Sequence, residues 1–228
     1  MVSAILLAAG VGSRLGSDIP KPLVKIGKHP IIFYSLHTLS KYPGIDEIVV
    51  VVNSGNQERI TRVIKNYSFK KIKAVVLGGR RRQDSVYNGL QAIGQKNKWV
   101  LIHDSARPFI NIKLILAVIQ QAKKNGAAIL AVKPKATIKF SAGRHIIKRT
   151  LERDKLWEAQ TPQVFKKDIL LKAYKRYSQD SVTDDASLVE KLNKKVRIVP
   201  GSYGNIKITT GEDLLFAGLI ARKKTYAI

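Results

Sequence analysis

The sequence contains no cysteine, and this absence excludes disulfides, zinc–thiolate sites and a thiol nucleophile. Acidic residues are scarce, because 16 Asp and Glu stand against 41 Lys and Arg, which leaves a formal net charge of +25 over 228 residues. No apolar run approaches the roughly 18 residues that a membrane-spanning helix needs. The first residues, 1–7, lack a basic leader and resemble a strand. We therefore expect a cytoplasmic protein with no membrane partner.

The excess of positive charge suggests several kinds of partner. A nucleic acid, an acidic membrane surface or a small polyanionic substrate would each explain it, and so would a genomic bias towards lysine. A nucleic-acid surface usually concentrates its charge on one helix or stripe and adds exposed aromatic side chains. Here aromatic residues make up only 7%, and the basic pairs are scattered at 70–71, 123–124, 166–167, 194–195 and 223–224. Charge alone therefore does not identify the partner.

Short apolar runs alternate with helical patterns along most of the chain. Hydrophobic residues make up 45%, enough for a real core. The pattern predicts strands over 3–8, 47–52, 74–77, 99–103, 127–132 and 196–199. It predicts helices over 30–39, 57–65, 84–93, 113–124, 168–177 and 184–190, and one from 212 onwards. This alternation indicates one α/β domain, 1–228, with an open, mostly parallel twisted sheet and helices on both faces.

The alternation is interrupted after Pro134. The segments 136–140 and 145–151 alternate with period two around the turn-rich residues 141–144. We therefore expect an inserted β-hairpin arm over 135–152. A lone hairpin is marginally stable in water, so a partner subunit is expected to cover it.

The first predicted strand ends in a glycine-rich loop. Gly10 and Gly12 let backbone N–H groups approach phosphate oxygens, and Arg14 and Lys21 add two cations nearby. The motif is incomplete as a dinucleotide fingerprint, which would place another glycine near Leu15, and it lacks the Gly-Lys-Ser/Thr of a P-loop. A tight turn followed by surface cations remains the alternative.

The third predicted strand ends in Gly78-Gly79, followed by three arginines, 80–82, and by Asp84 and Ser85. Two glycines and a serine at a helix N-terminus leave room for a base or ribose close to the backbone. The alternative is an ordinary capped helix, with Asp84 and Ser85 as cap residues. Three arginines at the positive end of a helix indicate that an anion lies nearby.

Asp104 follows the fourth predicted strand. A carboxylate at the end of a buried strand is costly unless it is paired, and with phosphates nearby it is a natural Mg²⁺ ligand. The alternative is an internal ion pair with Arg107. Thr183 and Asp184, later in the chain, suit either a site or a helix cap. No triad order is visible, so positioning and cationic stabilisation remain, which suit phosphoryl or nucleotidyl transfer.

Six stretches together resemble one family over nearly the whole chain, the 2-C-methyl-D-erythritol 4-phosphate cytidylyltransferases of non-mevalonate isoprenoid synthesis. They are LLAAGVGSRLGSDIPK, GGRRRQDSV, VLIHDSARPF, RDKLWEAQTPQVF, VTDDASLVE and NIKITTGEDL, in family order and spacing. The resemblance implies a Rossmann-like nucleotidyltransferase fold, the substrates CTP and a polyol phosphate, and Mg²⁺ or another divalent cation. It also implies a homodimer in which the hairpin arm crosses to the second subunit.

The resemblance also implies roles for particular residues. Arg14 and Lys21 would stabilise the transition state, and Asp104 would sit with Mg²⁺ and substrate. The residues expected to position the alcohol phosphate are Arg153, Lys207, Arg107, Thr137 and Thr183, with Thr137 and Arg153 serving the partner's site. The residues expected to hold the cytidine nucleotide are Ala8, Ala9, Gly10, Gly12, Gly79 and Ser85.

The sequence departs from the family pattern at three places. Arg80–Arg82 stand where the family usually has an acidic residue, which concerns how the ribose and base are framed. Pro22 replaces a common Gln, and Gly211 stands where Pro is frequent. No departure removes a candidate catalytic residue.

Two alternatives to the methylerythritol phosphate family remain. The related ribitol-5-phosphate cytidylyltransferases catalyse the same type of transfer, but Ala8–Gly10, Ser105-Ala106 and Leu156-Trp157 favour methylerythritol phosphate here. An alternative of another class is a nucleic-acid-binding protein on the same scaffold, suggested by the charge. We do not expect nucleic acid as the partner, because a pure binder needs neither Lys21 nor Asp104 at the strand ends.

Overall fold

The computed structural model describes residues 1–10, 12, 15 and 19–223. The described strands are β1 Val2–Leu7, β2 Lys25–Ile26, β3 His29–Pro30, β4 Glu47–Val52, β5 Ile72–Leu77, β6 Trp99–Asp104, β7 Ala127–Val132, β8 Lys139–Ser141, β9 Ile147–Thr150, β10 Glu158–Lys166 and β11 Arg197–Pro200. Seven of them form the central sheet in the order β11-β7-β10-β6-β1-β4-β5, and two two-stranded sheets pair β2 with β3 and β8 with β9.

Seven described α-helices pack around the sheet. They are α1 Ile31–Lys41, α2 Gln57–Asn66, α3 Arg82–Ala92, α4 Ile112–Asn125, α5 Lys167–Arg176, α6 Asp185–Lys191 and α7 Gly211–Lys223. The helices lie within three residues of their predicted bounds, and α4 ends as expected because Gly126 adopts a left-handed φ of 87°. None of the helices in the described part of the chain has both the length and the apolar character needed to cross a bilayer.

The central sheet is mostly parallel, as predicted. β1 pairs in parallel with β4 and β6, β4 with β5, and β7 with β11. Alternate residues of one strand enter opposite layers of the core, so that Leu6 packs with the α1, α2 and α4 side and Ile5 packs with the α3, α5 and α6 side. Helices therefore cover both faces of the sheet, which confirms the predicted fold class.

Sequence reasoning missed the short strands β2 and β3 and one strand of the central sheet, β10, which runs antiparallel between β6 and β7. Its sequence, EAQTPQVFK, contains a proline, and proline argues against a central strand because it has no N–H to donate. The register against β7 shifts between Gln160 and Gln163, so Thr161 and Pro162 stand outside the ladder. The shift accommodates Pro162 in the strand, and the Thr161 hydroxyl forms a hydrogen bond outside the ladder.

The predicted hairpin is present but shorter than expected. β8 and β9 pair antiparallel with each other in a sheet of their own. Every residue of both strands is exposed, and so are the large apolar side chains of Phe140, Ile146 and Ile147. The arm buries no apolar side chain of its two strands within the described chain.

Candidate active site

Loops that follow β1, β5 and β6 meet at one edge of the sheet, because the carboxyl ends of parallel strands point the same way. They enclose a cleft of about 510 Å³. Its wall includes most of the predicted nucleotide-binding residues, namely Ala9, Gly10, Gly12, Gly79 and Ser85, together with Lys21. Ala8 lies just below this cleft, buried in the core, with its carbonyl accepting a hydrogen bond from Asn56. Arg14 lies outside the described residues.

The backbone of Gly12 lies so close to the Lys21 side chain that there is no room for a Cβ at position 12. Gly12 has a φ of 76°, and a Cβ atom there would lie 2.7 Å from Cβ of Lys21. A larger residue would therefore be strained and would push Lys21 away. The Lys21 ammonium donates to the carbonyl of Ile208 at 3.1 Å. Gly12 and Lys21, the first residue of a short 3-10 helix, thus lie on one wall of the cleft.

The start of α3 forms another wall, and its N-cap is Arg81. The alternative of a capped helix holds for Asp84, which completes a capping box with Arg81, but not for Ser85. Asp84 stands three residues on, and its carboxylate accepts from the backbone N–H and the guanidinium of Arg81. That guanidinium lowers the pKa of Asp84. Ser85 instead fixes the glycine turn, because its hydroxyl accepts the N–H of Gly79 at 3.1 Å.

A second cleft of about 480 Å³ opens on the other side of Asp104. Three residues, Arg82, Asp104 and Lys207, line both clefts, and we call this set the junction. The second cleft is also lined by Arg107 and Thr183, two of the predicted positioning residues. A group bound in one cleft would therefore meet a group bound in the other at the junction.

Asp104 is held from both sides by cations. Its Oδ2 lies 2.7 Å from the Lys207 ammonium, and its Oδ1 lies 3.4 Å from the guanidinium of Arg82. Burial alone would raise the pKa of Asp104, but these two charges outweigh burial and hold it far below its usual range. Asp104 is therefore a carboxylate at any physiological pH.

Asp104 does form internal ion pairs, the alternative weighed for it, but with Lys207 and Arg82 and not with Arg107. The guanidinium of Arg107 instead donates to the carbonyls of Asn205 at 2.8 Å and Ala159 at 3.2 Å. These bonds tie the loop after β6 to β10 and to the segment before α7. These two bonds hold the Arg107 side chain in place where it lines the second cleft.

A buried hydrogen-bond chain supports the junction from below. The backbone N–H of Asp104 donates to the Thr161 hydroxyl, and this hydroxyl lies 3.0 Å from Nδ1 of His103. The His103 Nε2 lies 3.0 Å from the carbonyl of Arg107, which can only accept, so Nε2 carries the proton. The Thr161 hydroxyl then donates to Nδ1. Burial lowers the pKa of His103 to about 4 and keeps the ring neutral.

The junction offers one carboxylate as a metal ligand. Within the described ranges, no three His, Asp, Glu or Cys side chains form a cluster that would hold an ion by themselves. Mg²⁺ usually takes one or two carboxylates and completes its shell with substrate phosphates and water. Asp104 therefore fits a magnesium ion that arrives with a polyphosphate. Asp184 is already used as the N-cap of α6, the alternative weighed for it, because it accepts from the backbone of Ser187.

The two predicted residues near the arm lie apart from the junction. Arg153 is exposed, and its guanidinium donates to the carbonyl of Lys135 at 3.0 Å. Thr137 is exposed as well. Neither side chain lines either cleft of the same chain.

Sequence reasoning missed two contributors to the junction. Arg82 was noticed only as part of an arginine run, and the anions it meets are the protein's own Asp104 and Asp185. Thr161 appeared only within one of the six family stretches, and its place beneath Asp104 depends on the unpredicted strand β10. The partners are 22 and 103 residues from Arg82 in sequence, so no local pattern pointed to them.

The fold and the site together define a class: this is an α/β protein with a nucleotidyltransferase-like fold. A family model described as 2-C-methyl-D-erythritol 4-phosphate cytidylyltransferase matches residues 2–223. Proteins of that name from Alkaliphilus oremlandii and Clostridium tetani are 43% and 44% identical to this chain. The matches cover 97% and 96% of this chain and 95% and 90% of those proteins.

Solved structures agree with the sequence comparisons. The 4-diphosphocytidyl-2C-methyl-D-erythritol synthase of Anaerococcus prevotii superposes with a TM-score of 0.86 at 35% identity, covering 97% of this chain and 96% of that one. The 2-C-methyl-D-erythritol 4-phosphate cytidylyltransferase of Francisella tularensis gives 0.80 at 34% identity, covering 96% and 99%. The chain belongs to the 2-C-methyl-D-erythritol 4-phosphate cytidylyltransferase family.

Proposed function

We propose that this protein transfers the cytidylyl group of CTP to 2-C-methyl-D-erythritol 4-phosphate, giving the CDP-linked alcohol and pyrophosphate in isoprenoid precursor biosynthesis. The observation that carries the proposal is the junction, where Arg82, Asp104 and Lys207 line two clefts at once. A reaction between two phosphate-bearing substrates needs such a meeting point, with cations around it. Family membership indicates the two substrates, and the shared lining of the two clefts supports the junction as the place where they would meet.

The first cleft suits the nucleotide. Its glycine-rich walls, around Gly10, Gly12 and Gly79, allow a base, a ribose and a triphosphate to approach the backbone closely. Lys21 lines the same cleft as the three junction residues. CTP would therefore lie with its base by Gly79 and Ser85 and with its α-phosphate at Asp104 and Lys207.

The second cleft suits the alcohol phosphate. Arg107, Lys207 and Thr183 line it and provide two cations and a hydroxyl for a phosphomonoester. Arg153 and Thr137 of the same chain lie outside it. In a homodimer joined through the arm, the partner's copies of these two residues would complete the site.

The transfer is a direct in-line displacement. A phosphate oxygen of the alcohol phosphate attacks the α-phosphorus, and a new P–O bond forms as the bond to the bridging α–β oxygen breaks. Pyrophosphate leaves with the electron pair of that bond, so no covalent enzyme intermediate arises. Negative charge grows on the leaving group and on the equatorial oxygens. Lys21 and Arg14 stabilise that charge, which makes them the catalytic cations.

Asp104 would hold a Mg²⁺ ion together with the phosphate oxygens of CTP. When bound, the metal neutralises phosphate charge and fixes the geometry of the triphosphate. The Lys207 ammonium pairs with Asp104, and the Lys207 side chain is partly exposed to solvent. This ammonium can therefore move onto a substrate phosphate. Titration of CTP binding with Mg²⁺ by calorimetry tests this role: Asp104→Asn should weaken Mg²⁺-dependent CTP binding, while binding measured in EDTA stays at the wild-type level.

A substrate panel tests the function directly. Pyrophosphate release is measured with CTP, UTP, ATP and GTP, each with 2-C-methyl-D-erythritol 4-phosphate and with ribitol 5-phosphate. We expect turnover with CTP and methylerythritol phosphate to exceed every other combination. A preference for ribitol 5-phosphate would overturn the choice of alcohol.

The positive charge requires a second assay. A nucleic-acid-binding protein on this scaffold would bind RNA or DNA at nanomolar concentrations with a steep dependence on salt. We expect no such binding near physiological salt, because the basic pairs are dispersed. Tight salt-dependent binding without turnover of CTP would replace the enzymatic proposal.

A further inference from the structure

Arg82 lies on one side of Asp104 in the junction, and the family resemblance assigned it no role. It is the first residue of α3, and its guanidinium is forked between two carboxylates. Nη1 lies 2.8 Å from Asp185, and Nη2 lies 3.4 Å from Asp104. Arg82 therefore connects the helix that borders the nucleotide cleft to α6, which borders the second cleft.

Asp185 anchors one branch of this fork. Its side chain is only 1% exposed, and its other oxygen accepts from the hydroxyl of Tyr174 at 2.5 Å. A carboxylate this deeply buried is costly unless a cation and hydrogen bonds compensate it. Burial alone would lower the pKa of Arg82, but Asp185 and Asp104 outweigh burial and raise it. Arg82 is thus charged and held in place.

Lys207 meets the same carboxylate in a different way. Its side chain is 42% exposed, against 30% for Arg82, and among the described residues Asp104 is the one carboxylate within ion-pair distance of it. The two oxygens of Asp104 therefore differ: Oδ1 faces an anchored cation, and Oδ2 faces a movable one. A substrate or metal can displace Lys207 without disturbing the other side.

We propose that Arg82 is a positioning residue for the cytidylyl transfer: anchored on Asp185, it holds Oδ1 of Asp104 so that Oδ2 is presented to the substrate complex. This inference rests on the proposed function and adds a residue to it. The planar fork is essential, since one guanidinium reaches two carboxylates at once. A lysine ammonium at this position would keep the charge but reach only one of them.

A double-mutant cycle tests whether Arg82 acts through Asp104. Arg82→Gln, Asp104→Asn and the double variant are assayed with radiolabelled CTP and methylerythritol phosphate. We expect Arg82→Gln to lower kcat about 100-fold in the wild-type background but less than about threefold beside Asp104→Asn. The KM values for both substrates should stay within about threefold of wild type. Arg59→Gln, an exposed arginine on α2, is the matched control and should keep wild-type kinetics.

The outcomes separate positioning from other roles. An equal loss of kcat in both backgrounds would mean that Arg82 acts on the substrate itself or only through the fold, and it would overturn the inference. Arg82→Lys should remain within about threefold of Arg82→Gln, because it cannot bridge. Full rescue by lysine would also overturn it. An inactive wild type would refute the proposed function instead, so the two failures are distinguishable.

A second variant covers the case in which Arg82→Gln fails to fold. Asp185→Asn leaves Arg82 in the chain but removes the charge that anchors it. We expect kcat to fall at least tenfold, and this loss should disappear beside Asp104→Asn. Wild-type kcat in a folded Asp185→Asn protein would contradict the anchored fork.

Discussion

The junction and the hairpin arm both carry positive charge, but they hold it differently. At the junction, Arg82 and Lys207 each meet a carboxylate of the same chain, and a buried hydrogen-bond chain supports Asp104 from below. On the arm, Arg149 lies over the exposed ring of Phe140, and at the base of the arm the Arg153 guanidinium donates to the carbonyl of Lys135. The junction pairs its cations within its own chain, whereas the contacts described for Arg149 and Arg153 are with an aromatic ring and a backbone carbonyl.

This difference indicates how the site is divided. A preorganised cluster of charges acts on the transition state, because it is already in place when charge develops. Exposed groups on a marginally stable hairpin gain order only by packing on another surface. Under the proposed function, the junction and the catalytic cations beside it carry the chemistry, and the arm of a partner subunit captures the substrate. Each prediction below tests one side of that division.

The largest effect is expected at Lys21. Lys21→Ala should lower kcat about 10³-fold with little change in KM, because its interaction with the phosphate strengthens in the transition state. Arg14→Ala should act in the same way. Steady-state kinetics with both substrates measure the effect, and Lys25→Ala, exposed on β2, is the control. A variant that lost only affinity would remove its residue from the catalytic set.

A different pattern is expected on the arm. Arg153→Ala should raise the KM for methylerythritol phosphate about 10- to 100-fold while leaving the affinity for CTP unchanged, because one charge-assisted contact to a phosphate is lost. Isothermal titration with CTP and initial rates measure the two quantities. Arg149→Ala, an exposed arginine on β9, is the matched control and should stay close to wild type.

Mixing the two variants tests whether the arm serves a second subunit. In a dimer of one Lys21→Ala chain and one Arg153→Ala chain, one site regains both residues if Arg153 acts across the interface. Random exchange should then restore about a quarter of the wild-type activity, since half the dimers are mixed and each has one intact site. No recovery after verified exchange would place both residues in the same subunit's site.

A smaller effect is expected beneath the junction, at His103. Its ordinary pKa of 6.5 falls to about 4 in the folded protein, so the unfolded chain binds more protons between these values. The free energy of unfolding should therefore decrease as the pH falls through this window, with a contribution of about 2 kcal/mol between pH 7 and pH 5.

Urea denaturation at pH 7 and pH 5 measures this contribution. His103→Asn should be less stable at pH 7 and should lose less stability than wild type on acidification. His145→Asn, in the exposed turn of the arm, should follow the wild-type pH dependence. A pH dependence in His103→Asn equal to that of wild type would show that the buried ring does not govern it, even though Asp104, Arg107 and Lys207 surround it.

The sequence predicts the elements and loops whose signals lie close together along the chain. The apolar run 47–52 and the loop at Gly10–Gly12 indicated a strand and a phosphate-binding turn, because both signals lie within a few residues. β10 was missed because Pro162 argues against a central strand, and the register shift that accommodates it is a property of the sheet. The partners of Arg82 were missed because Asp185 is 103 residues away in sequence and meets Arg82 only in the folded chain.

The central claim is that two substrates react directly at the junction, with no covalent enzyme intermediate. The stereochemistry at phosphorus tests it most directly. The Sp isomer of CTPαS is converted with methylerythritol phosphate, and the configuration of the thio-substituted product is determined by ³¹P NMR. A single in-line displacement predicts inversion at the α-phosphorus. Retention would require two displacements through a nucleotidylated residue, and it would contradict the account.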